Sequence, residues 1–490
     1  MTQPKDDAYE PPSYEAPSYG PPSYEARPPS RDDWRLVLIM AAFIAAYAVV
    51  GVRLGMVALS QPSEPRLAQS EAAPPVRGAI VDRQGRTLAA NLPAWSLYVH
   101  PDEVRDPAAT AAALAPIFDD LDATEIERRI RASRRFAWVK RPVTPRQKQA
   151  ILDLVPAQPA LKFGRRDMRV YPAGRMAAHV LGQVRAESER VMSAQLVGNS
   201  GIEMALEDAL GDPSSLAEPV ALSLDLAVQS ALTEVLAEGI AHNAALRGSA
   251  VVMDVQTGEI PALVSLPDFD PNARVRRADL KGGAANPRFN QPVKGVYELG
   301  SVFKVLTAAI ALETGVAGPD TLIETGTPVV YRGSRIRDLY RMPAKMPVTD
   351  IVRRSSNIGS ARLAMRVGTP RFRDYLDRLG LLEPTGLELP EARSARPLKP
   401  SRWTDLSTMT ISFGHGLSVS PLHLVSAYAT LANGGRRVTP SLLKGGRPLG
   451  ERVFSERTSA DMMAILRAVV ERGTGRRTDV AGYEIGGKTG

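Results

Sequence analysis

The sequence predicts an α+β protein held to a membrane by one transmembrane helix, with more than one folded domain beyond it. Three observations lead there. The chain has 490 residues, of which 44% are hydrophobic and 23% charged, enough apolar side chain for sizeable cores. Residues 36–59 read LVLIMAAFIAAYAVVGVRLGMVAL, apolar for long enough to cross a bilayer. Beyond them, short alternating stretches bounded by turn residues are interleaved with segments of helical period. The formal net charge of +8 suits an anionic polymer or lipid surface as neighbour. The arginines are scattered, however, and no basic stripe is interleaved with aromatics, so nucleic acid is not an expected partner. The absence of Cys excludes disulfides, thiolate metal sites and cysteine nucleophiles, and the 5 His form no HExxH or close pair. No metal and no cofactor are expected.

Residues 1–35 hold three near-repeats, PSYE, PSYG and PSYE, at 12–15, 17–20 and 22–25. Too little aliphatic surface is present to offset ordering entropy, so a disordered tail is expected, either merely solvated or a docking peptide anchored by its tyrosines. The apolar stretch 36–59 is too long, and too far from the start, for a cleaved signal peptide; a buried core helix is the alternative. Arg53 near its end can snorkel to the interface. Arg27, Arg31 and Arg35 precede the span, which places the N-terminus in the cytoplasm and everything after residue 60 outside, in the periplasm of a Gram-negative cell.

A Pro/Ser/Glu-rich connector occupies 60–75, and a first domain is expected over 60–215. It opens with RGAIVDRQGRTLAA at 77–90, read as strand, tight Gln-Gly turn, strand. Residues 107–155 show helical spacing with many surface arginines, among them Arg129, Arg131, Arg134 and Arg135, read as a solvated face or a contact with glycan or a partner protein. His179 reads as a packing or hydrogen-bonding histidine rather than a ligand. A Gly/Asp/Pro/Ser cluster at 211–215 marks the boundary to a second domain, 216–490. That domain begins with an amphipathic helix from Leu226 to about Asn243 and a hairpin over 248–265. An irregular basic loop follows at 272–298.

The stretch ELGSVFKVLTAAIALE at 298–313 organises the second domain. A Leu-Gly turn breaks into a strongly periodic apolar segment, so Ser301 is expected at a helix N-terminus and Lys304 one turn on, over the same face. A serine hydroxyl is a poor nucleophile until a base takes its proton. A lysine that is desolvated, or crowded by another cation, can be neutral enough to do so. By itself this pair reads more readily as a capping serine beside a solvated lysine. Two further clusters follow in order: Ser355, Ser356 and Asn357 before a periodic run 358–367, and Lys488, Thr489 and Gly490 in an extended segment. Between them, TISFGHGLSVSPLHL at 410–424 has a glycine turn, then Ser420 as N-cap and Pro421 at the first helical position. His415 is read as part of a backbone-shaping loop. A further helix is expected from Ser459 to about Gly473.

Serine-x-x-lysine, then serine-x-asparagine, then lysine-threonine-glycine is the pattern of the penicillin-interacting serine acyltransferases. With the 77–90 segment just past a membrane anchor, YPAGRMAAHVLG at 171–182 and GIEMALE at 201–207, the chain resembles the class B penicillin-binding proteins over residues 36–490. The division-type members are closest. The resemblance implies a mixed α/β pedestal, then a transpeptidase domain with an antiparallel sheet flanked by helices. It implies that Lys304 deprotonates Ser301, which attacks the penultimate D-Ala carbonyl of a stem peptide. Ser355 would relay the proton to the departing D-Ala, Asn357 would hold the substrate peptide, and Lys488, Thr489 and Gly490 would line the site of the terminal carboxylate. Implied partners are peptidoglycan stem peptides, β-lactams as inhibitors, inner-membrane lipid and other divisome membrane proteins, including a lipid II glycosyltransferase. Family members continue past the third motif with further strands and a closing helix. The chain is therefore expected to be a C-terminally truncated form, lacking an oxyanion-hole donor and inactive as it stands. Rival readings are an elongation-type class B enzyme, a β-lactamase or penicillin sensor without the 77–90 signature, a bifunctional synthase, and an inactive division scaffold.

Overall fold

The computed structural model describes residues 33–59, 77–156, 158–189, 194–212, 218–273 and 286–490. The tyrosine repeats, the 60–75 connector, part of the 211–215 cluster and the middle of the 272–298 loop lie outside the described residues. Contacts divide the chain into two units, 1–72 and 73–490. In the first, one α-helix, Asp33–Leu59, covers the expected span. Its described side chains over 38–53, including Phe43, Ile44 and Val49, are exposed. Among the described residues no helix is long and apolar enough to cross a membrane.

The second unit starts on the Arg77 segment, which forms the expected strand, turn and strand. Strand β1, Ile80–Val81, runs antiparallel to β2, Thr87–Val99. Asp82 closes the turn by accepting the Gln84 and Arg86 amides at 2.9 Å each, and Gly85 takes φ +83°, which a side chain would resist. β2 then pairs antiparallel with β3, Ala137–Val143, and with β4, Leu161–Val170. β3 corrects the expectation of helical spacing across 107–155. Helices occupy Pro107–Leu114, Ala123–Arg131 and Pro145–Leu152. Between the last two, Ala137, Val139 and Val143 turn inward while Trp138 and Lys140 stay half-exposed, a period of two rather than 3.6. The three helices and the inner face of this sheet enclose one core, with Leu97, Val99, Ile126, Ile130 and Val139 buried.

The base of the sheet reaches across the expected 215 boundary. β1 pairs in parallel with Val220–Ala221, Ile80 opposite Val220. A second core therefore holds Ile80, Leu88, Val180 and Ile202 together with Leu222, Leu263, Leu422 and Leu442. Beneath it, the arginine that opens the signature segment is buried with its counter-charges. Arg77 and Arg169 donate to opposite oxygens of Glu203 at 2.6 and 2.7 Å, and Arg77 also meets Glu207 at 2.9 Å. Desolvating these ions is costly, and only the full set of bonds offsets it. His179 is buried too, with Nε2 2.7 Å from the Pro287 carbonyl, a hydrogen-bonding role as expected.

In the rest of the chain the helix Leu226–His242 is capped by Asp225 and lies on the antiparallel hairpin of Gly248–Val252 with Ala262–Leu266. Gln229 ties the two by bonding both the amide and the carbonyl of Leu263. Among the described residues this hairpin is all that forms of the expected antiparallel sheet. The other short strands pair only locally, Leu322–Glu324 with Lys345–Pro347 and Val329–Tyr331 with Ser334–Ile336. The largest core lies beside them, built around the helix Phe303–Glu313, buried from Phe303 to Ala311, and the helices 348–354, 357–367, 421–432 and 456–472.

Candidate active site

The apolar periodicity after Ser301 produces a helix so deeply buried that Phe303 to Ala311 are all inaccessible. Ser301 itself is not its cap. It sits in a single 3-10 turn, Gly300–Val302, that feeds the helix, and Val302 stands at the cap position without a side-chain bond. The tighter turn offsets Ser301 from the helix axis and leaves it half-exposed, whereas Lys304, one turn on, is 2% exposed. The Lys304 amine lies 2.5 Å from Ser301 Oγ and 3.1 Å from Ser355 Oγ. Burial, then the nearby Lys488 ammonium, pull its pKa down to about 7, against a smaller upward pull from Asp338. Both causes that sequence reasoning asks of a lysine base are present.

Ser355 reaches this amine because of an uncommon backbone. It ends the helix Val348–Arg354 in the left-handed region, φ 65°, a conformation that costs a non-glycine residue of order 1 kcal/mol. Ser356 then caps the next helix, Asn357–Val367, by accepting the Gly359 amide. Asp338 secures the turn. Its carboxylate accepts the Ser356 hydroxyl at 2.7 Å, the Ile358 amide at 3.1 Å and the Asn357 amide. The Asn357 side chain donates to the Arg337 carbonyl at 3.1 Å and is half-buried.

The third cluster comes alongside. A Cβ placed on Gly490 would be 3.4 Å from the Leu299 carbonyl and 3.6 Å from a Val302 methyl, so the segment runs beside the nucleophile turn. Lys488 is half-buried, which lowers its pKa to about 8, and its amine bonds the Thr489 carbonyl at 2.6 Å. Thr489 Oγ1 meets Thr474 Oγ1 at 2.9 Å. Ser301, Lys304 and Ser355 thus share direct hydrogen bonds. Lys488 joins them through its charge, and Asn357 and Thr489 bond only to their own surroundings.

Sequence reasoning missed the groups that hold this arrangement. Asp338 has no spacing that would mark it. Tyr428 is half-buried with its hydroxyl on the Val302 carbonyl at 2.8 Å, and Glu298 accepts the Gly416 amide at 2.7 Å. The glycine turn of 410–424 does shape backbone, as read, and what it shapes is the nucleophile turn. Gly414 has φ +88°, and a Cβ there would fall 2.1 Å from the Gly300 carbonyl oxygen. Ser420 and Pro421 start the next helix in the expected cap and first-turn positions.

Comparison with known proteins supplies the family. Residues 248–490 match the family model of the penicillin binding protein transpeptidase domain, and residues 72–214 that of the penicillin-binding protein dimerisation domain. The chain is 36% identical, over 95% of its length and 77% of the relative's, to the probable peptidoglycan D,D-transpeptidase FtsI of Caulobacter vibrioides. The chain belongs to the class B penicillin-binding proteins of the FtsI type. The peptidoglycan D,D-transpeptidase FtsI of Escherichia coli K12 is 30% identical over 93% of this chain and 81% of its own. The probable peptidoglycan D,D-transpeptidase PenA of Neisseria gonorrhoeae stands at the same figures. In this class B protein the two domain matches fall on either side of the expected boundary, with the Arg77 segment inside the first.

Proposed function

We propose that the protein is a serine-type peptidoglycan D,D-transpeptidase acting in septal cell-wall synthesis. One observation carries the reading: a lysine amine with pKa about 7 lies within hydrogen-bond reach of two serine hydroxyls. Lys304 takes the Ser301 proton as Ser301 Oγ attacks the penultimate D-Ala carbonyl of a stem peptide. Ser355 passes that proton to the amine of the departing D-Ala, and the amide C–N bond breaks as the Ser301 ester stands. Asn357 holds the peptide. Lys488 and Thr489 take the terminal carboxylate beside Gly490. An amine of a neighbouring stem then attacks the ester, forming the cross-link and freeing Ser301.

A β-lactam enters by the same first step. Glu298 and Asp338, acids on the motif segments, are both engaged with backbone amides, so neither is a free base for hydrolysing the adduct. The penicilloyl form is therefore long-lived. The pedestal is assigned to 60–215 and the transpeptidase domain to 216–490, supported by the two domain matches. The helix Asp33–Leu59 is assigned as a single inner-membrane anchor with a cytoplasmic N-terminus and a periplasmic catalytic domain, supported by its uncharged apolar run over 36–52 and the arginines that precede it. Divisome membrane proteins, including a lipid II glycosyltransferase, are its proposed partners.

Labelling with a fluorescent penicillin tests the reading. Whatever labelling the chain shows, Ser301→Ala should abolish it while leaving the thermal transition in place. Labelling that survives Ser301→Ala would move the nucleophile elsewhere. A chain that folds but never labels would leave a division scaffold.

A further inference from the structure

Beyond the Lys488–Thr489 end of the site lies a wall that the mechanism does not use. Thr474 touches Thr489 through their hydroxyls, 2.9 Å apart. On the other side, Arg353, two residues before Ser355, donates to the Arg472 carbonyl at 2.9 Å. Residues 472–478 are thus joined both to the segment bearing Ser355 and to the segment bearing Lys488. Arg472, Arg476 and Arg477 of this wall and Arg354 beside Ser355 are all exposed.

The acids of the same region are already engaged. Asp350 pairs with Arg353 at 2.7 Å, while Glu471 and Asp479 both pair with Arg467, at 3.1 and 2.8 Å. Among the described residues no carboxylate lies within ion-pair distance of Arg354, Arg472, Arg476 or Arg477. Exposed Glu484, on the way to Lys488, offsets only one of these charges. A surplus of fixed positive charge at the mouth of a cleft attracts anions and orients them before contact.

We infer that this arginine rim is the subsite for the acceptor stem peptide, selected through its free carboxylates. The inference rests on the proposed acyl-transfer reading. In that chemistry D-alanine leaves from the Lys488–Thr489 side, taking a proton on its amine. The reverse of departure is the path by which a new amine reaches the acyl carbon. The acceptor's N–C bond therefore forms from that side as the Ser301 O–C bond breaks, and the amine proton returns to Ser301 Oγ through Lys304. An acceptor approaching there passes over residues 472–478.

Arg476→Gln with Arg477→Gln removes two charges at nearly constant shape, and the matching double Lys variant keeps them. Each is compared with the full unmodified chain in fluorescent-penicillin acylation and in cross-linking to a stem-peptide acceptor, with carboxylates free or amidated. The Gln variant should acylate within twofold of the unmodified chain, which also reports that it is folded. It should use the free-carboxylate acceptor about tenfold less well, mainly through KM, and the amidated acceptor equally well. The Lys variant should retain most acceptor use, and salt should weaken the unmodified chain toward the Gln variant. Normal acylation with unchanged acceptor use, or an equal loss for both acceptors, overturns the rim alone. Failure of the unmodified chain to acylate overturns the reading beneath it and the rim with it.

Discussion

At the scale of single residues, the proposed mechanism asks one cation to be neutral beside another that stays charged. Lys304 falls from an ordinary pKa near 10.5 to about 7, and Lys488 to about 8. In the proposed mechanism acylation uses Lys304 without its proton, so the rate should rise with pH through about 7. The same proposal has the protonated Lys488 bind the carboxylate, so the rate should fall above about 8. The pH profile of acylation by a carboxylate-bearing penicillin is therefore expected to be a narrow bell. Lys488→Ala removes a like charge, which favours the protonated form of Lys304. Its acid limb should move to higher pH, in addition to weaker binding. Stopped-flow acylation between pH 5 and 10 measures both, and an acid limb that stays in place removes Lys488 as a cause. Folding is linked to the same proton with the same sign. Between about 7 and 10.5 the unfolded chain holds a proton on this lysine that the folded chain does not, so this group's contribution to stability rises with pH across that window.

At the scale of elements, Ser301, the proposed nucleophile, is positioned less by its own helix than by the turn packed against it. Gly414 Cα has no room for a substituent, since the Gly300 carbonyl would lie 2.1 Å from it, and its φ of +88° is unfavourable to any side chain. Gly414→Ala must move the 300–302 turn or the 411–416 turn. Acylation should drop by at least about tenfold, because small displacements of a reacting group are that costly. The melting temperature should change much less than the rate, since the core helix behind Ser301 is untouched. A variant with normal acylation would show the two turns to be independent. This coupling also marks what the sequence could and could not convey. That Ser301 and Lys304 would be neighbours was legible because a spacing of three sets both on one helical face, whereas Ser355, 51 residues from Lys304, was legible only through the serine-x-asparagine pattern of the family the chain resembles. The helix starting at Ser420 was legible for the same local reason. Asp338, Tyr428 and the Gly300–Gly414 contact were not, because each joins segments about twenty to more than a hundred residues apart, mostly through bonds to backbone groups, which leave no residue pattern. The 3-10 turn at Ser301 was missed because a cap serine and a serine one turn early look alike until the hydrogen bonds are drawn. Strand β3 was hidden by basic residues on its open face, which match a solvated helix as readily as the outer face of a sheet.

At the scale of the whole molecule, the division into pedestal and transpeptidase halves describes the sequence better than the packing. The core of the pedestal's outer part, around Leu97, Ile126 and Val139, is its own cluster. The base, by contrast, shares one core with Leu222, Leu263, Leu422 and Leu442, and β1 is hydrogen-bonded to Val220–Ala221. Two surface-to-core ion networks span the same seam: Arg86 bridges Asp82 to Asp225 at 2.6 and 2.7 Å, and Arg83 reaches Glu259 at 2.9 Å. The signature segment is thus the joint on which the catalytic half is built, and damage there should be felt at Ser301. Glu203 is the sharpest place to cause it, being fully buried between Arg77 and Arg169. Glu203→Ala leaves two buried guanidiniums short of a counter-charge and should cost about 3–5 kcal/mol. Glu203→Gln keeps the shape and some hydrogen bonds, so it should cost less. Hydrogen exchange should then show lost protection in both β2 and Val220–Ala221, with residues 126–139 little affected, and penicillin labelling should fall with the fraction unfolded. If protection were lost only before residue 215, the shared core would carry no cooperativity between the halves.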